Sequence, residues 1–588
     1  MNFLSILFPL TVLLAACAHA PQPVVSTSPV QLASAEGTPP QAELEQIAPA
    51  PEPTLPAVAL TDRLLYEFLL GDIAAQRSRP ELAAQVYLDL AKTTRDPRVA
   101  RRAAQLTFEA HQYDQSVEAL RLWQQLEPSS PLARQMLVSI LIAGGSLQEA
   151  RTPAEELLAA DPPHAGRTFL NLYSLLSRVP DKAAVLDWMI EVAHPWPQVA
   201  EAHWALAQAA VAANKQELAL EEARQAATLS PEWSLAVMLH AQLLARRDAE
   251  AADALLGRFL DRHPEEQEVR LFRARQLLEQ KQYARARGEF ERLLQQRPGR
   301  ADLAFAIAMI SLQLGEGERA ERELRQALAS DGPGKDEDTL HYYLAQLAEA
   351  RQDEPSALAE YRQVKGGQHA FAASLRVAYL LHKAGRLAEA RQVLQHSPAH
   401  DQAERVRLVM VEAQLLREAR QNAESYRVLE QGLKQFPDEP ELLYQTALMA
   451  DRLDKTDVSE RLLRRLIEIE PKNPHAYNAL GYGWLARNVR VQEGMVLVQQ
   501  AWQMAPDDAA ILDSMGWGYF RLGQLDKSLD FLRRAFGANP DPEIAAHLGE
   551  VLWVSGDQEA GQKVLQDSLK AHPDNEVLLE VMHRLGVK

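Results

Sequence analysis

The chain has 588 residues, of which 80 are acidic and 62 basic, for a formal net charge of −18, and 47% are apolar. This composition excludes collagen, a disulfide scaffold and wholesale disorder. So acidic a balance disfavours nucleic acid as the main partner, because phosphate neutralisation needs clustered Lys and Arg. The single cysteine, Cys17, rules out an intramolecular disulfide and a cysteine-built zinc site.

Residues 1–16 carry no charged side chain, and the run from Phe3 to Ala16 is apolar apart from Ser5 and Thr11. The run is too short to span a bilayer, which takes about 20 residues, and fits the core of a signal peptide. Leu14-Ala15-Ala16-Cys17 resembles a bacterial lipobox, in which a peptidase cuts before a cysteine whose thiol is then lipidated. The resemblance implies a lipidated Cys17. Ala18, standing where a retention signal would have Asp, implies an outer-membrane anchor on the periplasmic face. The stretch before the apolar core is only Met1-Asn2, a departure from the usual basic start.

Residues 18–58 contain nine prolines and no aromatic. Such a segment buries too little apolar surface to offset its ordering entropy, so residues 17–59 are expected to be the lipidated cysteine and a disordered tether. From Leu60 the pattern changes: Leu64, Leu65, Phe68 and Leu69 restore helical spacing.

Prolines then recur as a ladder. Pro97, Pro128, Pro162, Pro197, Pro231, Pro264, Pro298 and Pro333 are separated by 31, 34, 35, 34, 33, 34 and 35 residues. After a gap near Gly367 the ladder resumes at Pro398 and runs through Pro437, Pro471, Pro506, Pro540 and Pro573, in steps of 39, 34, 35, 34 and 33. A period near 34 is the tetratricopeptide (TPR) length. Content agrees with it: Leu512, Met515, Gly516, Tyr519, Leu525, Ser528, Leu532 and Ala535 fall at the large, small and aromatic positions of one unit. Small residues let the two helices of a hairpin approach, large ones fill the gap to the next hairpin, and proline is expected to close the second helix. One hairpin cannot bury its own apolar face, so hairpins must stack. The expected fold is all-α, a right-handed α-solenoid of TPR hairpins over residues 60–588, with about 14–15 hairpin slots. Slots near 61–97 and 334–437 are irregular, and Asn575 to Leu585 reads as a capping helix.

No motif for catalysis, nucleotide binding or Ca²⁺ binding occurs, so no enzyme activity, cofactor or metal is expected. The sixteen histidines share no spacing, and His547 reads as satisfied or solvated. Carboxylate pairs such as Glu155 and Glu156 read as solvated helix faces. Binding residues are therefore sought on the concave positions of the first helix of each hairpin. These positions hold Asn478 and Tyr482 in one unit, Ala510, Asp513, Trp517, Phe520 and Arg521 in the next, and Glu550, Trp553 and Val554 in the last. Four of the nine tryptophans lie beyond residue 483, and aromatics on a groove make anchors for a protein partner.

The segments Leu64-Leu65-Tyr66-Glu67-Phe68-Leu69-Leu70-Gly71-Asp72 and Arg95-Asp96-Pro97-Arg98-Val99-Ala100-Arg101-Arg102-Ala103, taken with Cys17 and the repeats, resemble a family of outer-membrane TPR lipoproteins. Its members bind and activate a periplasmic carboxy-terminal processing protease. The resemblance implies a non-catalytic scaffold that recruits the protease and presents substrates such as peptidoglycan hydrolases. The alternative is a TPR lipoprotein that assists assembly of a secretion, pilus, exopolysaccharide or outer-membrane-protein machine.

Overall fold

Helix-start signals are explicit along the chain. The side chains of Thr61, Asp96, Ser130, Asp181, Asp248, Asp336, Asp508 and Asn575 each stand just before a helix and accept a backbone N–H of its first turn, satisfying donors that would otherwise be orphaned. The computed structural model describes residues 56–587. Among them are thirty-one α-helices, a short 3-10 turn at Pro162–His164 and no strand. The proposed signal peptide, Cys17 and all of the tether before residue 56 lie outside the described residues. Successive helices pack on one another in pairs, so the fold is an α-solenoid of TPR hairpins.

The prolines act in two ways. Pro264, Pro298, Pro437, Pro471, Pro506 and Pro573 stand in the loops just after second helices, as expected. Pro97 instead opens a helix at its first position, where its missing N–H and fixed φ cost nothing. Turns inside hairpins need a left-handed residue. Gly315, between Ala301–Gln313 and Gly317–Ala329, has φ +75°, a conformation glycine adopts without steric penalty.

The chain divides into two compact units, Met1–Lys335 and Asp336–Lys588. In the first, Trp123, Phe169, Trp188, Phe259 and Phe290 are fully buried, each contributing roughly 1.5–3 kcal/mol of burial. Ala205, Ala209, Ala219 and Ala223 are sealed where the helices Ala200–Ala212 and Gln216–Leu229 approach. This unit also holds a buried charge network. Glu289 accepts from Arg270 at 2.8 Å, Arg273 at 3.2 Å and Arg292 at 2.6 Å, while Arg273 also binds Asp253 at 2.8 Å. Arg285 pairs with Asp253 as well. Burial raises the Asp253 pKa, but Arg273 and Arg285 outweigh it and hold the carboxyl below its usual range.

In the second unit the slots expected to be irregular are still helix pairs. They have short second helices, Glu354–Tyr361 and Leu387–Gln395, and a long first helix, Gln402–Glu418. An exposed ion pair of 3.2 Å joins Arg420, after that long helix, to Glu576 at the start of the helix Glu576–Leu585.

Candidate protein-binding face

Three successive first helices, Pro474–Ala486, Ala509–Arg521 and Pro542–Val554, carry the residues selected from the sequence. Each is drawn against its second helix by small residues. An added Cβ on Gly481 would lie 2.7 Å from the Gly494 carbonyl, one on Gly561 would lie 2.8 Å from the Gly549 carbonyl, and Ser528 Oγ donates to the Gly516 carbonyl at 2.7 Å. This close approach fixes the roll of each first helix, and with it the direction of the side chains beside the glycines.

The residues so presented converge on one that the sequence reading passed over. His547 Nδ1 bonds the Asp513 carboxylate at 2.8 Å, its Nε2 lies 3.3 Å from the Tyr482 hydroxyl, and its ring stacks on Trp517 with centroids 4.2 Å apart. Trp517 also meets Phe520 at 5.0 Å, and the Arg521 guanidinium sits 4.8 Å over the Trp517 ring. Arg521 donates to the Ala486 carbonyl at 3.1 Å. Tyr482, Asp513, Trp517, Phe520 and Arg521 thus form one cluster. Glu550 is turned aside, accepting from Arg584 at 2.6 Å. Trp553 is partly buried and Val554 is half-exposed on the same helix. Asn478 Oδ1, Trp517 Nε1 and Arg521 Nε are buried without a hydrogen-bond partner.

Burial disfavours charge on His547, but Asp513 as ion-pair and hydrogen-bond partner, with Glu543 and Glu550 further off, prevails and raises its pKa. Burial, then the Asp513 charge, raises the Tyr482 pKa. An imidazolium here donates from both nitrogens, to Asp513 and to Tyr482. A histidine pKa raised in the folded state contributes stability that is complete below the unfolded value, near 6.5, and is lost as pH climbs through the folded value. The thermal midpoint of the second unit is therefore expected to fall as pH rises above about 6.5, and His547→Gln should flatten that dependence. An equally steep profile in the variant would contradict the assignment.

A hollow of about 750 Å³ in this unit lies between the helices Gln402–Glu418 and Pro440–Arg452. Val406, Met410 and Met449 give it apolar walls, with Gln414, Arg417 and Gln445 among them. Sequence reasoning missed it because it falls in the stretch where the proline ladder is irregular. The available signal was the i, i+4 spacing of Val406, Met410 and Gln414.

Among the described residues no group of three His, Cys, Asp or Glu is placed to hold a metal ion, and no helix is long and apolar enough to cross a membrane.

Helix pairs at this interval, closed by small residues at each crossing, define a tetratricopeptide-repeat protein. Models of the tetratricopeptide repeat match residues 277–347 and, in a second form, 242–301 and 410–474. The chain is 30% identical over 489 residues to the TPR repeat-containing protein PA4667 of Pseudomonas aeruginosa, an alignment covering 83% of this chain and 82% of that one. The chain belongs to the tetratricopeptide-repeat family, together with that Pseudomonas protein. Similar solved structures include the APC/C hetero-tetramer Cut9–Hcn1, at 14% identity and TM-score 0.31 over 89% of this chain and 96% of that chain. Another is MamA from Desulfovibrio magneticus RS-1, at 18% identity and TM-score 0.24 over 30% of this chain and 99% of that chain. Repeats of this kind make a scaffold for protein–protein interaction.

Proposed function

We propose that the chain is a non-catalytic adaptor, anchored to the periplasmic face of the outer membrane through Cys17, that recruits and activates a carboxy-terminal processing protease and presents its substrates. The reading is carried by one observation. In the first described helix, Asp62–Gln76, the side chains Leu65, Tyr66, Leu69 and Ile73 lie on one face and are all 47–64% exposed. A contiguous exposed apolar stripe marks an interaction site, and Leu65, Tyr66 and Leu69 lie within the segment whose residues resemble the adaptor family. The hairpin side of this helix is formed by other residues, the buried Leu64, Gly71 and Ala74 and Phe68, which meets Tyr87 edge-on at 6.2 Å, so the stripe is not required to hold the hairpin together. Holding protease and client on one chain raises their effective concentration.

The chain is expected to bind the protease and accelerate its cleavage of a client. Leu69→Glu with Tyr66→Asp should weaken binding by about tenfold or more while leaving the helical melt unchanged. Undiminished activation by that variant would sink the adaptor reading. The anchor is tested separately: Cys17→Ala should leave the chain unlipidated and outside the outer-membrane fraction. If the variant still fractionates with the outer membrane, the anchor lies elsewhere.

A further inference from the structure

The hollow between Gln402–Glu418 and Pro440–Arg452 marks a joint in the second unit. Further along, neighbouring first helices pack directly, Pro474–Ala486 on Ala509–Arg521 and that helix on Pro542–Val554, whereas at the hollow the two first helices scarcely touch. Exposed polar side chains span the gap: Gln402 donates to Glu439 at 3.2 Å and Arg417 to Gln445 at 3.5 Å. What holds the two repeats together is the second helix Asn422–Gln435, which packs on Pro440–Arg452 and shares a buried core with it through Leu429, Leu442 and Met449. One packed contact with a gap beside it is the arrangement of a pivot.

The gap has a tendency to close. Met410 and Val411, both only partly buried, line it, and bringing the first helices together would bury their apolar surface. Methionine is unbranched and repacks readily. What opposes closure joins the two ends of the arm that leads away from the hollow. Arg420, in the turn after Gln402–Glu418, meets Glu576, the first residue of the last helix and 156 residues further on, at 3.2 Å. Their side chains are 76% and 82% exposed, and no broad helix packing accompanies the contact. Between them the chain curves tightly enough for Tyr482 to reach His547, 65 residues on. One exposed ion pair thus bridges the ends of a curved arm that has a pivot at its root.

We propose that the second unit has two states and that the Arg420–Glu576 pair is the clasp that selects between them. With the clasp made, the hollow stands open. With it parted, residues 440–585 swing about the contact with Asn422–Gln435, and the two first helices close over Met410 and Val411. The states exchange an exposed ion pair for apolar burial. A pair of this kind biases such an equilibrium by only about 1.4- to 5-fold, so salt, or a partner with unequal affinity for the two states, is enough to undo it. The device goes beyond the adaptor reading and does not depend on it.

The test uses the full chain carrying Cys17→Ala, which removes its only cysteine, with spin labels on cysteines replacing the exposed Gln431 and Glu580. Electron–electron double resonance should show two distances at low salt. In 1 M NaCl, where the screening length is about 3 Å, the ratio of parted to clasped form should rise by about 1.4- to 5-fold, and Arg420→Glu should raise it at least as much without added salt. Arg420→Glu combined with Glu576→Arg should restore the original ratio, a rescue that a merely structural role for either residue would not give. Gln414→Trp, which places a ring in the hollow from an exposed position, should remove the parted form under every condition. The helical melt of each variant shows that it folds. A single distance that neither salt nor Arg420→Glu alters would overturn the proposal, and so would a charge swap that fails to rescue. A parted form that persists in Gln414→Trp would overturn it as well, by placing the pivot away from the hollow.

Discussion

Replacing Glu289 with alanine is expected to destabilise the first unit by about 3–5 kcal/mol, the usual consequence of removing one partner from a buried ion pair. Glu289 is the hub of its network. Its side chain is 5% exposed and accepts from Arg270, itself 7% exposed, as well as from Arg273 and Arg292. Without it Arg273 still has Asp253, and Arg292 is largely in water. Arg270 retains only the Pro264 carbonyl, at 2.9 Å, with no carboxylate to balance a charge that is out of solvent. The loss therefore comes from a stranded guanidinium rather than from a missing attraction, and this makes a second expectation. Arg270→Met combined with Glu289→Leu should be markedly less damaging than Glu289→Ala alone, since an apolar pair of similar volume removes both desolvation penalties. Thermal and urea unfolding followed by circular dichroism measures both. A loss below about 1 kcal/mol for the single variant would be typical of a solvent-exposed pair and would show that the network is not closed to water. A double variant worse than the single would show that the ion pair is a net stabiliser.

That network also shows where sequence reading stops. The hairpins were legible because their causes are local: a 34-residue recurrence, small residues at fixed places, Asp, Asn or Ser before helices. Facing charges such as Arg270 and Glu289 are 19 residues apart on different helices, a separation with no counterpart in the i, i+4 rule, so acidic and basic positions all looked like solvated faces. The same limit hid His547. Counting from Pro506 to Pro540 gives 34 residues, but the helix-contact glycines Gly516 and Gly549 are 33 apart, because the helix Pro542–Val554 begins two residues after Pro540, whereas Ala509–Arg521 begins three residues after Pro506. In the true register Ala546, not His547, is the counterpart of Asp513. His547 therefore falls one place off the concave set, on the edge that looks back to the preceding repeat, where it meets Asp513 and Trp517. The residues Tyr482, Asp513, Trp517 and Arg521 were singled out from repeat position alone; what joins them was not, because His547 lies outside the concave positions that repeat counting selects.

Gly481 is where that repeat geometry is most exposed to substitution, and Gly481→Val is expected to cost about 3 kcal/mol or more, at or above the upper range for overpacking. A Cβ at this position would stand 2.7 Å from the Gly494 carbonyl oxygen, 2.8 Å from Val498 Cγ2 and 3.1 Å from Leu497 Cβ. The first of these is backbone and cannot rotate away, and Gly494 is equally confined, its own Cβ position lying 2.9 Å from the Gly481 carbonyl. The helices Pro474–Ala486 and Val491–Met504 would have to separate. Alanine tests the argument more sharply, because helix propensity predicts the opposite sign: Gly→Ala inside a helix ordinarily gains up to about 1 kcal/mol. Gly288, inside Tyr283–Gln296 with nothing within 4 Å of its Cβ position, should show that gain, whereas Gly481→Ala should show a net loss. If both alanines stabilise, the two helices do not cross this closely. The effect should also reach the binding face. Tyr482 is the next residue, and a helix pushed off its partner carries the hydroxyl away from His547 Nε2, now 3.3 Å distant. Gly481→Ala should therefore weaken the dependence of stability on pH that His547 confers, even though residue 481 touches neither Asp513 nor the imidazole.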